Sequence, residues 1–319
     1  MKILITGVSG QDGAYLSQKL LALGYNISGI IRNENSNIDG LKYLNIEKEI
    51  EFEKVDLADR SSIEKNIKKH QYDQIYNLAA QSSVAESFKN PFLTMQFNVQ
   101  STLNILESVK KVSPHTKIYQ ATSSEMYGDV RNLPINENTL LNPQSPYAIS
   151  KAACHYLIKN YREAYQIHAS SGILFNHESV LRRENFFIMK LIKSALDILN
   201  GKQELLKLGN IEIKRDFGFA PDYIEAIVKM LEQDEPGDYM ICSGKSITLR
   251  SIVEHIFRFL NISMDKIVID PELYRPSEIE NIYGDNNKAK ERLGWKYDRS
   301  FFDVIEEITV EYEKNFYAK

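Results

Sequence analysis

Short, almost wholly apolar runs alternate with segments whose apolar residues recur at helical spacing, and this alternation sets the architecture of the first half of the chain. Lys2–Thr6 reads as a buried strand, a glycine-rich turn follows, and Ala14–Leu23 predicts a helix that Gly24 stops. Further strands are expected at Ile50–Val55, Gln74–Leu78, Lys117–Ala121 and His168–Phe175, beside one at Asn26–Ile31. Helices are expected between them at Ser62–Lys69, Leu93–Lys111 and Pro146–Ala164. Such alternation means right-handed βαβ units, hence an α/β fold with a doubly wound parallel sheet covered on both faces. Beyond about Asn176 the pattern turns irregular: helices near Ile188–Leu199, Pro221–Glu232, Leu249–Leu260 and Phe301–Tyr312 stand among short strands and turns such as Glu235-Pro236-Gly237. Residues 1–175 are therefore read as a dinucleotide-binding domain that also carries the chemistry. Residues 176–319 are read mainly as a smaller mixed α/β substrate-binding lobe, with some segments returning to the first domain.

Composition narrows the function classes. The 319 residues are 43% hydrophobic, enough for a sizeable core. A net charge of −4 on 26% charged residues gives no basic field for nucleic acid, so an anionic ligand has to be met by local arginines. The two cysteines, Cys154 and Cys242, offer neither a metal knuckle nor a disulfide framework, which suits a reducing cytoplasm. No apolar run approaches the roughly 18 residues of a membrane span, and the first residues already read as a strand rather than a signal peptide.

Chemistry enters with the turn T-G-V-S-G-Q-D-G at Thr6–Gly13. Gly7, Gly10 and Gly13 lie between a strand and a helix, as a dinucleotide fingerprint of a Rossmann domain requires: Gly7 for the tight turn, Gly10 for backbone approach to a pyrophosphate, Gly13 for helix on strand. Arg32 follows the second strand, where an acidic residue usually meets the ribose 2′-hydroxyl; its guanidinium favours NADP, while Glu34 keeps NAD open. Asp56 suits either an acceptor for the adenine amine or a loop carboxylate capping the helix at Ser61. Downstream, Tyr147 and Lys151 share one helical face in a Y-x-x-x-K spacing, and an ammonium there would lower the phenol's pKa toward a usable base. The spacing recurs at Tyr15 and Lys19, where it reads as surface and packing. Ser123 and Glu125, at the end of a strand shortly upstream, complete the set. Hydroxyl, carboxylate, phenol and amine are what a self-contained redox elimination needs.

The turn, Asn77-Leu78-Ala79-Ala80, the serine-rich strand end and Tyr147/Lys151 resemble the extended short-chain dehydrogenase/reductases. More narrowly, T-G-V-S-G-Q-D-G-A-Y-L from Thr6, A-A-Q-S from Ala79, A-T-S-S-E-M-Y-G from Ala121, F-N-H-E-S from Phe175, L-G-N-I-E-I-K-R-D-F-G from Leu208, D-Y-I-E-A from Asp222 and R-P-S-E from Arg275 resemble GDP-mannose 4,6-dehydratases over nearly the whole chain. That resemblance implies a hydro-lyase acting on a GDP-sugar with a tightly bound NADP (or NAD) regenerated at each turnover. It implies Ser123, Glu125, Tyr147 and Lys151 as the catalytic set, and Gly7, Gly10, Gln11, Asp12, Gly13, Arg32, Asp56, Leu57, Leu78, Ala79 and Ala80 with Tyr147 and Lys151 around the cofactor. Ser82, Ser83, Asn176, Glu178, Lys190, Arg215, Arg275 and Glu278 are implied for the substrate, arginines being suited to a diphosphate. No metal is expected: His177 has no second His or Cys at metal spacing and reads as an orienting core residue. Helices Leu93–Lys111 and Pro146–Ala164 resemble the superfamily's four-helix dimer interface, with Phe97, Leu103 and Ala153 to fill it, so a homodimer or homotetramer is expected.

The chain departs from the family pattern at Asn33 after Arg32, at Val180-Leu181-Arg182-Arg183 where Pro-Arg-Arg-Gly is usual, and at Met189 in place of a basic residue. It is also shorter than typical members before Ile50 and before Tyr274. These departures leave open GDP-N-acetylglucosamine or a GDP-heptose as the substrate. A plain nucleotide-sugar reductase or 4-epimerase, which needs no carboxylate at Glu125, is the reading from another reaction class.

Overall fold

The computed structural model describes residues 1–317. In chain order the first half comprises β1 (Lys2–Thr6), α1 (Gln11–Ala22), β2 (Asn26–Ile31), α2 (Asp39–Tyr43), β3 (Ile50–Lys54), α3 (Arg60–His70), β4 (Gln74–Asn77), α4 (Val84–Lys89), α5 (Pro91–Val112), β5 (Lys117–Ser123), α6 (Pro146–Tyr165) and β6 (Ala169–Leu174). The second half adds β7 (Asn176–Glu178), α7 (Phe187–Leu199), β8 (Leu206–Leu208), β9 (Lys214–Phe219), α8 (Ala220–Glu232), β10 (Asp238–Ile241), β11 (Ser246–Thr248), α9 (Leu249–Phe259), β12 (Ile267–Ile269), β13 (Asn281–Ile282), α10 (Asn287–Leu293) and α11 (Phe301–Tyr312). Helix α1 begins three residues earlier than its apolar pattern predicts, because Gln11, Asp12 and Gly13 form a first turn without apolar periodicity. Short α2, α4 and α10 fell below what periodicity detects.

Seven strands form one parallel sheet in the order β10-β6-β5-β4-β1-β2-β3. The chain winds outward from β1 to β3, then crosses back to β4, so the switch of direction falls between β1 and β4, where open α/β sheets bind ligands. Helices cover both faces. Leu16, Leu20, Ile224, Ala226 and Ile227 of α1 and α8 pack with Ile3 and Ile5 on one face; Ile63, Ile67, Ile105, Leu106 and Ile158 of α3, α5 and α6 pack with Leu4 and Ile118 on the other. A separate apolar cluster of α7, α9 and α11 includes Leu191, Ile252, Ile256, Val304 and Ile308. Beside it lie the small sheets β11-β9-β13, with β7 on β9, and β12-β8.

Strand β10 comes from the second half of the chain yet completes the large sheet against β6. It is fastened from α6: Arg162 donates to both carboxylate oxygens of Asp238 at 2.9 and 2.7 Å and to the Ala169 carbonyl at 3.0 Å, with both side chains mostly buried. Removing the carboxylate alone leaves the guanidinium uncompensated. Asp238→Ala is expected to cost about 3 kcal/mol of stability, read as a lower urea midpoint at unchanged slope.

Candidate active site

The turn after β1 is shaped for a close-approaching ligand. Gly7 has φ of 70°, and a Cβ on Gly13 would lie 2.3 Å from the Gly7 carbonyl oxygen, so α1 seats directly on the backbone of the turn. Gly10 is the N-cap of α1 and supplies no side chain to its first amides, which leaves them for a phosphate. The Thr6 hydroxyl accepts from the Leu78 and Ala79 amides, both at 3.1 Å, and fixes the end of β4 beside the turn. A glycine cradle, uncapped amides and a pinned neighbouring loop fit a dinucleotide's pyrophosphate.

Other residues expected at the cofactor are placed differently. The side chains of Gln11 and Asp12 turn away toward the segment after β6. Gln11 donates to Asp12 and to the His177 carbonyl, each at 3.0 Å, and accepts from Ser179 at 2.8 Å. Asp12 Oδ1 lies 2.9 Å from His177 Nε2, and His177 Nδ1 lies 2.7 Å from the Phe175 carbonyl. Burial opposes the Asp12 charge, but the imidazole and the Gln11 amide overcome it and bring its pKa down to about 2. Burial also opposes the imidazolium, and Asp12 reverses that, raising His177. Asp56 is exposed and accepts from the Ala58 amide at 2.9 Å; the cap at Ser61 belongs to Asp59 instead. Leu57 is buried, and Ala80 is partly exposed beyond β4. At the ends of β2 and β3 a groove of about 590 Å³ is lined by Ile31, Glu34, Asn35, Ser36, Phe52 and Lys54. Arg32 is exposed beside it with its guanidinium 5.2 Å from the Phe97 ring centre, and Glu34 is paired with Lys54.

The catalytic candidates meet at the carboxyl end of β5. Ser123 ends the strand, and its Oγ accepts from the Glu125 amide at 3.2 Å, starting a short 3-10 turn that leaves Glu125 partly exposed. Tyr147 stands in the first turn of α6, which Ser145 caps by accepting from Ala148 at 3.1 Å after Pro146. One turn on, Lys151 is buried and donates to the Ala121 carbonyl at 2.9 Å. Here the structure corrects the sequence argument. Burial pushes Tyr147 up to about 12; Ser123 and Arg182 pull it down and Glu125 opposes them, whereas Lys151, 5.8 Å from the ring centre, is committed to Ala121.

Residues expected at the substrate divide into those that face the cleft and those fixed in the scaffold. Ser82 is exposed, but Ser83 caps α4 through the Glu86 amide at 3.2 Å. Asn176 donates to the Asp216 carbonyl at 3.2 Å. Glu178 is buried, 3.3 Å from Arg182. Lys190 donates to the Lys207 carbonyl at 3.1 Å. Arg215 is buried and donates to the Ile279 carbonyl at 2.6 Å; its charge faces Glu125 and Glu278 as attractive partners and Arg275 as a repulsive one. Arg275 is exposed in a loop pinned where Ser277 donates to Gln144 at 2.9 Å, just before the Tyr147 helix. Arg215, Glu125, Arg275 and Glu278 thus gather at one mouth. Arg182, named in the sequence only as a departure from a motif, lies 3.3 Å from Glu178, a contact that residue types alone do not reveal.

The sequence profile described as GDP-mannose 4,6 dehydratase matches residues 4–308. The chain belongs to this family. It is 41% identical over 314 residues to "GDP-mannose 4,6 dehydratase 1" of Arabidopsis thaliana, covering 95% of this chain and 87% of that protein. With the GDP-mannose 4,6-dehydratase of Sinorhizobium fredii it shares 38% identity, over 97% of this chain and 95% of the other. Among solved structures, the dTDP-glucose 4,6-dehydratase of Bacillus anthracis in complex with NAD superposes with a TM-score of 0.85 at 25% identity, covering 99% and 97% of the two chains.

The Asp12–His177 pair ties stability to pH. The Asp12 pKa lies below its ordinary 3.8, so its contribution is complete above that value and is lost as pH falls toward about 2. Asp12→Asn is expected to lose about 2 kcal/mol at pH 6 and about half as much at pH 3, measured by urea unfolding at both values.

Proposed function

We propose that this protein is a GDP-sugar 4,6-dehydratase that converts GDP-mannose to its 4-keto-6-deoxy product with loss of water. The observation that carries this reading is the grouping of Ser123, Glu125 and Tyr147 at the end of β5, beside a cradle for a dinucleotide; a reductase or epimerase has no use for the carboxylate. The names of relatives sharing 38–41% identity over nearly the whole chain favour GDP-mannose as the nucleotide sugar. When bound, an oxidised nicotinamide supplies positive charge and a reversible hydride acceptor. Tyr147 takes the proton of the sugar's 4-hydroxyl while Ser123 holds that oxygen, and hydride leaves C4. The resulting ketone acidifies the C5 proton. Glu125 removes it and then returns a proton to the departing 6-hydroxyl, so water leaves and hydride is delivered back to C6. Lys151 orients Tyr147's helix from Ala121 and serves the cofactor side. Arg215 and Arg275 supply the positive charge a diphosphate needs in a chain of net charge −4. For the cofactor we favour NADP over NAD: the exposed Arg32 stands at the end of β2 beside this groove, and the Glu34 carboxylate is already paired with Lys54.

Purified protein incubated with GDP-mannose, GDP-N-acetylglucosamine or GDP-heptose, without and with NADP or NAD, is expected to remove one water from GDP-mannose with no net cofactor reduction. Stoichiometric cofactor turnover without dehydration would assign the reductase class instead. Glu125→Gln is expected to slow dehydration by roughly 100-fold or more while still oxidising C4, seen as reduced cofactor accumulating on the enzyme.

The protein is also read as at least a homodimer, formed through α5 and α6. Phe92, Leu93, Ile149 and Tyr156 expose 74, 63, 45 and 57% of their surface on these two helices. Leu103 is at the margin of exposure, while Phe97 is partly covered and lies under Arg32. Ala153, also partly exposed, lies on the same helix as Ile149 and Tyr156. Sedimentation at micromolar concentration is expected to give a dimer or larger species, and Leu93→Glu with Ile149→Glu to shift it toward monomer.

A further inference from the structure

We propose that His155 is a positioning residue of the reaction centre: through the Ser171 and Thr122 hydroxyls it locks the helix that carries Tyr147 against the strand that carries Ser123. The inference rests on the roles given to those two side chains above, and it concerns the proton and hydride step at C4 that they serve. His155 lies on α6 one turn beyond Lys151 and eight residues, about 12 Å, beyond Tyr147. Its Nδ1 stands 3.0 Å from Ser171 Oγ on β6, and Ser171 Oγ stands 3.0 Å from Thr122 Oγ1 on β5. Thr122 Oγ1 in turn donates to the Gly172 carbonyl at 3.0 Å. All three side chains are buried, and Thr122 directly precedes Ser123.

The chain of hydrogen bonds runs in one direction only. Thr122 has a single hydroxyl proton and a carbonyl can only accept, so that proton goes to Gly172. Ser171 then donates to Thr122, which leaves its oxygen to accept from the ring, and His155 carries a proton on Nδ1. Burial holds this imidazole below its ordinary value against Asp238, with Arg162 and Lys159 adding to the effect, so the ring is neutral at pH 7 and Nδ1–H is its only donor. The helix is thereby tied to two neighbouring strands at once. Lys151 holds it to the Ala121 carbonyl of β5 and His155 to Ser171 of β6, while the strands are themselves in register, Ala121 beside Gly172 and Thr122 beside Ile173. A single tie would let α6 pivot about it; a second, one turn on and to another strand, removes that freedom. Apolar contacts such as those of Ile158 tolerate small slips, whereas bonds of fixed donor direction weaken steeply when bent. A slip of about 1 Å between a base and the oxygen it serves costs about 100-fold in rate, so the setting of Tyr147 against Ser123 depends on these ties.

Two measurements on the cofactor-loaded enzyme test this. In ¹⁵N-histidine spectra at pH 7 the His155 ring, identified by its loss in His155→Asn, is expected to be the neutral Nδ1–H form; a ring without a proton on Nδ1 overturns the proposal. In steady-state kinetics His155→Leu and Ser171→Ala are each expected to lower kcat about tenfold or more with KM held within about twofold, and the double variant to lose no more than either, since each breaks the same chain. His155→Asn, whose amide donates from the place of Nδ1, is expected to recover most of kcat. An unchanged kcat in His155→Leu or Ser171→Ala overturns the proposal, as do losses that multiply in the double variant, which would make the two side chains independent packing residues. Should His155→Leu fail to fold, Ser171→Ala carries the same test with a smaller change of volume. Hydride transfer at C4 is common to a dehydratase, a reductase and a 4-epimerase, so kcat is compared on whichever reaction the wild type runs. A wild type that turns over cofactor without loss of water therefore counts against the dehydratase reading and leaves the comparison of variants intact, and the ring tautomer needs no turnover at all.

Discussion

The buried pairing of Asp12 with His177 is the constraint on which the site depends, because it joins two parts of the chain that do separate jobs. Asp12 lies in the first turn of α1, whose amides face the glycine cradle; His177 lies in β7, which leads from the large sheet to the small one through β9. Gln11 and Ser179 add a second tie beside the first. A pair of opposite charges withdrawn from water is costly to separate, so the distance from the cofactor turn to the start of the substrate side is held nearly constant. The T-shaped packing of Tyr223 on Trp295 and Tyr297, with Tyr223 stacked on His177, closes this joint on its remaining side.

Around this joint the charges are arranged by burial. Tyr147 and Lys151 are both enclosed, and enclosure raises the phenol and lowers the amine, the reverse of what a base and its helper need. The chain offsets this with few groups: the Ser123 hydroxyl, the Arg182 cation and the charge that a bound nicotinamide adds. Glu125, in contrast, is partly exposed at the mouth opposite Arg215. Tyr147 and Glu125 thus occupy different environments, one dry and one partly wet, as the separate tasks proposed for them at C4 and at C5 of the sugar require.

Much of the fold was legible in the sequence. Six of the seven strands of the large sheet follow apolar runs that periodicity finds almost residue for residue, as at Lys2–Thr6 and Asn26–Ile31, whereas β10, only four residues long, was not among the expected strands; the family was legible in short words such as Phe175–Ser179. What escaped depends on partners remote in sequence. Gln11 and Asp12 sit in the turn with uncapped amides, as expected of cofactor residues, but nothing local says that their side chains are taken by a segment about 165 residues away. Lys151 shares a helical face with Tyr147, but spacing does not reveal that the Ala121 carbonyl claims its ammonium. Ser83 carries a cap's residue type at a helix too short to detect.

The place of β10 at the edge of the large sheet also bears on how the chain is made. During synthesis β1 to β6 emerge first, and the growing sheet then ends on β6 with its backbone amides and carbonyls unpaired until Asp238–Ile241 follows. More than sixty residues, including β7 through α8, separate the two strands. Over that interval the nascent sheet carries an open hydrogen-bonding edge, the kind of surface that recruits other strands, so premature release of the chain hands the cell an aggregation-prone fragment.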